Sequence, residues 1–126
     1  MSAKILVVDD VAMNVKLLSD LLVVKGYTTC TALSGPKALE ALDSERPDLV
    51  LMDIQLPDID GATVLARIRD DASLDAMPVL AVSASVMPDE QQRIVTSGFD
   101  AFIAKPISIK PFLAAVTTAL KEGRPK

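Results

Sequence analysis

The sequence predicts a doubly wound α/β fold on a five-stranded parallel sheet, and three observations carry that expectation. Short apolar runs alternate strictly with longer amphipathic segments along the chain, in five β-α units. The runs Ile5 to Val8, Leu49 to Met52 and Val79 to Val82 are continuously apolar rather than alternating, as strands are when helices cover both faces. The run Tyr27 to Ala32 carries three threonines and suits a sheet edge, which favours the strand order 2-1-3-4-5.

Each element has its own signal. Lys4 to Asp9 reads as the first strand, and Ala12 to Lys25 as a helix closed by Gly26. Leu17, Leu18, Leu21 and Leu22 are its expected core stripe, and Val23 and Val24 extend the apolar surface beyond one face. After the second strand, Ser34 is a plausible N-cap and Pro36 a first-turn residue for a helix from about Gly35 to Glu45. Asp48 to Asp53 reads as a strand, Gly61 to Asp71 as a helix, and Pro78 to Ser83 as a strand. A fourth helix is expected over Pro88 to Ser97, ending at Gly98, then a strand over Asp100 to Ala104 and a fifth helix over Ile109 to Glu122. The 126 residues fit one domain, 1–126, with its core over about 3–121 and a frayed tail after Glu122.

Composition narrows the chemistry. Half of the residues are hydrophobic and 24% charged, too apolar for a disordered chain. The net charge of -4 disfavours direct nucleic-acid binding, which normally needs a basic face. One cysteine, Cys30, excludes an internal disulfide and suits a reducing compartment. The complete absence of histidine rules out a Ser-His-Asp triad, a His-ligated zinc and any imidazole acid or base on this chain. The apolar start is stopped by Asp9 and Asp10, too soon for a signal-peptide core, and no run approaches a membrane span. The expected setting is therefore cytoplasmic.

Polar residues end four of the five strands: Asp9 and Asp10 the first, Asp53 the third, Ser83 the fourth and Lys105 the fifth. Taken singly, each has a structural explanation: Asp10 as a helix cap, Asp53 in an Asx-turn, Ser83 as a loop hydroxyl and Lys105 as a solvated charge. Taken together, they share the sheet edge where open α/β folds bind ligands. Three carboxylates there repel one another and need a cation, a proton or a base. An oxygen-only set with room for water favours Mg²⁺ over Ca²⁺, with Mn²⁺ as the substitute. Carboxylates, a divalent ion, a lysine and a hydroxyl suit a phosphoryl group, and a carboxylate can itself be the nucleophile. Asp53, on the central strand, is the best candidate.

Asp9-Asp10 after the first strand, Asp53-Ile-Gln-Leu-Pro57 with Asp60-Gly61, Ser83-Ala84 and Lys105-Pro106 resemble the receiver domain of two-component response regulators. The resemblance runs from Lys4 to about Leu120, and it is the ordered set rather than any one motif that makes it specific. The runs Pro47 to Pro57 and Lys105 to Ser108 are most similar to stand-alone receivers of the DivK cell-cycle type. The resemblance implies a flavodoxin-like, CheY-like fold and a signalling role rather than an enzyme's. It also implies that Asp53 accepts a phosphoryl group from a histidine on a partner kinase or phosphotransfer protein. Asp10, Asp53 and the Gln55 backbone carbonyl would hold Mg²⁺, with Asp9 acting mainly through water. Lys105 would contact the phosphoryl oxygens, with the bond to Pro106 cis. Ser83 would swing to the phosphoryl group and Phe102 turn inward behind it; the other reading of Phe102 is a strand-5 aromatic that simply packs. Gln55 and Ser85 occupy the positions that tune phosphoryl lifetime. Phe102 stands where Tyr or His is usual, so contacts through a tyrosine hydroxyl are excluded.

By the same resemblance, output would pass through the face formed by the fourth helix, fifth strand and fifth helix. No output domain is expected after the last helix, so output is expected to reach another polypeptide, although a piece cut from a longer protein would read the same. Met13 on the first helix, with Ile107, is expected to form part of the kinase-docking surface; ordinary local packing is the other reading. Rival classes fit less well. A haloacid-dehalogenase-like phosphatase wants a second Asp two residues after its nucleophile, where this chain has Gln55. A flavodoxin-like flavin carrier wants a hydroxyl- and glycine-rich loop where this chain has Asp-Asp-Val-Ala-Met. A receiver-fold module that no longer takes phosphate fits poorly with Asp53, Lys105 and the acidic pair all present.

Overall fold

The continuously apolar strands do assemble into a parallel sheet with helices on both faces. The computed structural model describes residues 3–53, 61–71, 77–83, 89, 99–104 and 107–122. In chain order these form β1 (Lys4–Val8), α1 (Ala12–Val24), β2 (Thr28–Ala32), α2 (Gly35–Glu45), β3 (Leu49–Asp53), α3 (Gly61–Asp70), β4 (Val79–Ser83), β5 (Ala101–Ala104) and α4 (Ile109–Glu122). The helix expected over Pro88 to Ser97 lies outside the described residues except for Asp89, which is helical. The sheet order is β2-β1-β3-β4-β5, with every neighbouring pair parallel.

Side chains alternate across the sheet, so each central strand feeds two cores. Leu6, Val8, Val50, Met52, Val79 and Ala81 pack with Ala38 and Leu42 of α2 and Val64, Leu65 and Ile68 of α3. On the other face, Ile5, Val7, Leu49, Leu51, Leu80 and Val82 pack with Val15, Leu18 and Leu22 of α1 and Phe112 and Val116 of α4. Each of the larger side chains contributes about 1.5–3 kcal/mol by leaving water, and together they fix the strand register. β2, more polar, keeps several residues half-buried or exposed, as an edge strand does.

Local signals set the element ends. Ser34 Oγ accepts from the Lys37 N–H at 3.2 Å, and Pro36 occupies the first turn of α2. α1 stops at Val24: the Tyr27 N–H reaches back to the Leu22 carbonyl and Gly26 takes φ of 102°, a left-handed turn that favours glycine. That same bond occupies the Tyr27 N–H, so β2 begins at Thr28 rather than Tyr27. Asp48 stays outside β3 because its N–H donates to the Lys4 carbonyl and its carboxylate accepts the Lys4 N–H. The expected leucine stripe of α1 shifts. Leu18 and Leu22 are buried and Leu21 half-buried, but Leu17 is exposed and Val15 takes its place. At 100° per residue, Val15, Leu18 and Leu22 share one face and Leu17 turns away from it.

The amino-terminal end of the β4–β5 pair is held by one ionic clamp. Asp100 Oδ2 accepts from the Val79 N–H at 2.8 Å and from Arg69 Nη2 at 2.9 Å, and Arg69 Nη1 donates to the Met77 carbonyl at 3.1 Å. α3 is thereby fastened beneath both strands by side chains only 17% and 11% exposed. Asp100→Ala removes the acceptor and leaves a largely desolvated guanidinium, so an unfolding free-energy loss of about 2–4 kcal/mol is expected. Urea denaturation measures it; a loss within error of zero would show the clamp to be dispensable.

Candidate functional site

Strand register brings the acidic residues together. Val8 lies opposite Met52 in the β1–β3 pair, so Asp9 and Asp53, the next residue of each strand, emerge side by side at the carboxyl edge. Asp53 in turn lies opposite Val82, one residue before Ser83. Carboxylate oxygens of Asp9, Asp10 and Asp53 all lie within 4.8 Å of one another. Asp9 is 1% exposed and Asp53 5%, whereas Asp10 faces solvent.

Asp9 has a second role that differs from the expected one. Its Oδ1 accepts from the Val11 N–H at 2.9 Å and its Oδ2 from Asn14 Nδ2 at 3.4 Å. Asp9 therefore serves the start of α1, whose N-cap Val11 provides no side-chain cap. The capping role considered for Asp10 is not observed. Asn14 escaped the sequence reading, although an amide in the first turn, five residues after an aspartate, was the available signal.

The donor set is wholly oxygen, carries up to three negative charges and contains no thiolate or imidazole. Such a set fits a small hard divalent cation rather than zinc or copper. Cys30, the one thiol, sits on β2 beside the Ile5 carbonyl; burial pushes its pKa up and Glu45 adds to the rise, so it stays protonated at neutral pH and is not a nucleophile there.

Of the other expected site residues, Ser83 ends β4 opposite Ala104. Phe102, opposite Ala81 on β5, is half-buried against the α2–α3 core. Ile107 packs against the other core, beside α1 and α4. Gln55, Ser85, Lys105 and Pro106 lie outside the described residues.

Residues 5–117 match the response regulator receiver domain. The polar-differentiation response regulator DivK of Brucella ovis is 39% identical over 123 residues, covering 98% of this chain and 100% of that protein. DivK of Brucella anthropi matches at the same identity and coverage. A putative response regulator from Chloroflexus aurantiacus superimposes with a TM-score of 0.90 at 27% identity, over 96% of this chain and 99% of that one. The Francisella response regulator 1452 receiver domain gives a TM-score of 0.87 at 26% identity, over 96% and 98%. The chain belongs to the response regulator receiver family, and its architecture is the CheY-like form of the flavodoxin fold. It is accordingly a DivK-like signalling domain rather than an enzyme.

Like charges held close together oppose folding. Asp10→Asn is therefore expected to stabilise the protein in EDTA at low ionic strength by about 1 kcal/mol. It should also shrink the stabilisation that added MgCl₂ gives the wild type. Thermal unfolding with and without the salt reads both effects, and an Asp10→Asn protein that gains as much from MgCl₂ as the wild type would contradict a cation site here.

Proposed function

We propose that this chain, as a single receiver domain over 1–126, is a cytoplasmic phosphoacceptor that takes a phosphoryl group from a partner's phosphohistidine onto Asp53. One observation carries the reading: Asp53, buried on the central strand, lies within 4.8 Å of two further carboxylates in a chain with no histidine. In the transfer, an Asp53 carboxylate oxygen forms the new bond to phosphorus as the phosphorus–nitrogen bond breaks. The electron pair of that bond leaves with the partner's imidazole. Loss of the group is the same chemistry with water attacking phosphorus and the Asp53 carboxylate departing.

The donor chemistry of the site fits Mg²⁺, which Asp10, Asp53 and the Gln55 carbonyl would hold directly and Asp9 through water. Bound there, the ion would supply positive charge beside the negative charge of the transferred oxygens. The Asp9 contacts to Val11 and Asn14 suit this indirect role, because they already engage both of its oxygens. Lys105, ahead of the cis bond expected at Pro106, supplies the other positive charge. Ser83 is the hydroxyl that answers phosphorylation and Phe102 the aromatic that follows it. Phe102 has no hydroxyl to present, so its response works through packing alone. Gln55 and Ser85, both uncharged, set how readily water reaches the phosphoryl group. Output passes to another protein through the face of the expected fourth helix, β5 and α4, without direct contact to nucleic acid or membrane. No described helix is long and apolar enough to cross a membrane.

The histidine donor docks against the start of α1. Met13 is 78% exposed and Leu17, one turn on, 51%, so an apolar strip begins next to Asp10. Ile107, half-buried against the core beneath α1 and α4, would join this surface.

Incubation with acetyl phosphate or a phosphorylated histidine kinase in MgCl₂ should label the protein, with the label lost to base and to hydroxylamine. Asp53→Asn should abolish it; a wild type left unlabelled by a competent donor would return the protein to the class of non-phosphorylated interaction modules. Met13→Glu should slow transfer from the kinase about tenfold or more while leaving labelling by acetyl phosphate and the unfolding midpoint unchanged. Equal slowing with both donors would place the effect in the acceptor pocket rather than at a docking surface.

A further inference from the structure

A second surface, along α4, has the opposite character. An open groove of about 440 Å³ runs along α4 and is lined by Lys25, Lys110, Leu113, Ala114, Thr117 and Thr118. Its apolar floor is Leu113 and Ala114, and lysines are its only charged lining. In a chain of net charge -4, most described cations are neutralised: Lys4, Lys16, Lys37, Arg46 and Arg69 each hold a carboxylate. Among the described residues, Lys25, Arg67, Lys110 and Lys121 join no such pair, and of these Lys25 and Lys110 line the groove. Lys110 also lies in the first turn of α4, which holds no acidic residue, so its charge adds to the positive end of the helix.

The groove is held in shape. Lys25 is the C-cap of α1, followed by the left-handed turn at Gly26, and the Tyr27 hydroxyl then meets Thr117 Oγ1 at 3.0 Å. This bond ties the chain just beyond α1 to the middle of α4 and so fixes Lys25 beside the groove. Val23 and Val24, immediately before it, are 56% and 88% exposed and add apolar surface at that end.

We propose that this groove docks an acidic amphipathic helix of a partner protein, with its aliphatic residues on Leu113 and Ala114 and its carboxylates toward Lys25 and Lys110. Two features favour a helix over a small anion. The lining residues from Lys110 to Thr118 extend about 12 Å along α4, more than two turns of a partner helix. Exposed lysines alone contribute little binding energy, so affinity has to come from the apolar floor and strip, while the charges choose the partner and its orientation. The two lysines make this face complementary in charge to an acidic segment. The site is separate from Asp53 and does not depend on phosphorylation.

The test is titration of the uniformly ¹⁵N-labelled full chain with a short synthetic helix carrying leucines along one face and glutamates elsewhere, followed by amide NMR. A matching peptide with lysine in place of glutamate serves as the control. Shifts are expected at Lys25, Lys110, Leu113, Ala114, Thr117 and Thr118, with none from the lysine peptide. The double variant Lys25→Glu and Lys110→Glu should weaken binding about tenfold or more without altering the circular dichroism spectrum. Leu113→Ser should weaken it at constant charge. Absence of shifts at the groove, equal binding of both peptides, or shifts from the glutamate peptide centred elsewhere would each overturn the proposal.

Discussion

The parallel register between β1 and β3 places two carboxylates side by side where each chain leaves the sheet, and the rest of the molecule must hold them there against their repulsion. Asp9 and Asp53 are almost wholly buried, so water does little to screen them. The sheet beneath opposes the repulsion. Ile5 to Val8 and Leu49 to Met52 are all 0–1% exposed, and a one-residue slip of either strand would exchange the two cores and turn every side chain to the wrong face. Burial of the strands therefore enforces the proximity of the charges, and that proximity gives the edge a donor set that could hold a metal ion.

The two ends of the β4–β5 pair are built differently. At the amino end, hydrogen bonds join Arg69, Asp100, Val79 and Met77 in a partly buried network. At the carboxyl end stand Ser83 and, one layer below, Phe102, packed only partly into the α2–α3 core. A half-buried aromatic paired across the strands with the small Ala81 has fewer contacts to lose than Phe112, which is 1% exposed in the opposite core. Rigidity at one end and looser packing at the other is the mechanical arrangement a local chemical event needs if it is to move a surface without unfolding the domain.

Most of this architecture was legible in the residues because double-sided burial leaves a strong signature. Continuous apolar runs fixed three central strands, and the threonines of β2 marked an edge. Ser34 with Pro36, and Gly26, marked helix ends that the structure reproduces. The clustering of Asp9, Asp10 and Asp53 followed from topology alone, since equivalent strand ends converge. Features that depend on side-chain direction were harder to read. Four leucines in two adjacent pairs on α1 are compatible with more than one buried stripe, and packing against β1 and α4 chose Val15 over Leu17. The division of labour between Asp9 and Asp10 turns on which carboxylate points back to α1, and adjacent identical residues carry no sign of that. The Arg69–Asp100 pair joins residues thirty-one positions apart and left no local pattern.

The contacts of Asp9 to Val11 and Asn14 couple the acidic edge to the first turn of α1. Val11 itself brings no capping group, so this helix borrows its anchor from the acidic edge. Anything that draws negative charge away from Asp9 weakens that anchor, and anything that orders the first turn makes Asp9 a poorer host for positive charge, because linkage between two sites acts in both directions. Met13 and Leu17 ride on this part of the helix. Contact with them and occupancy of the carboxylate edge thus become two handles on one equilibrium, joined through two hydrogen bonds.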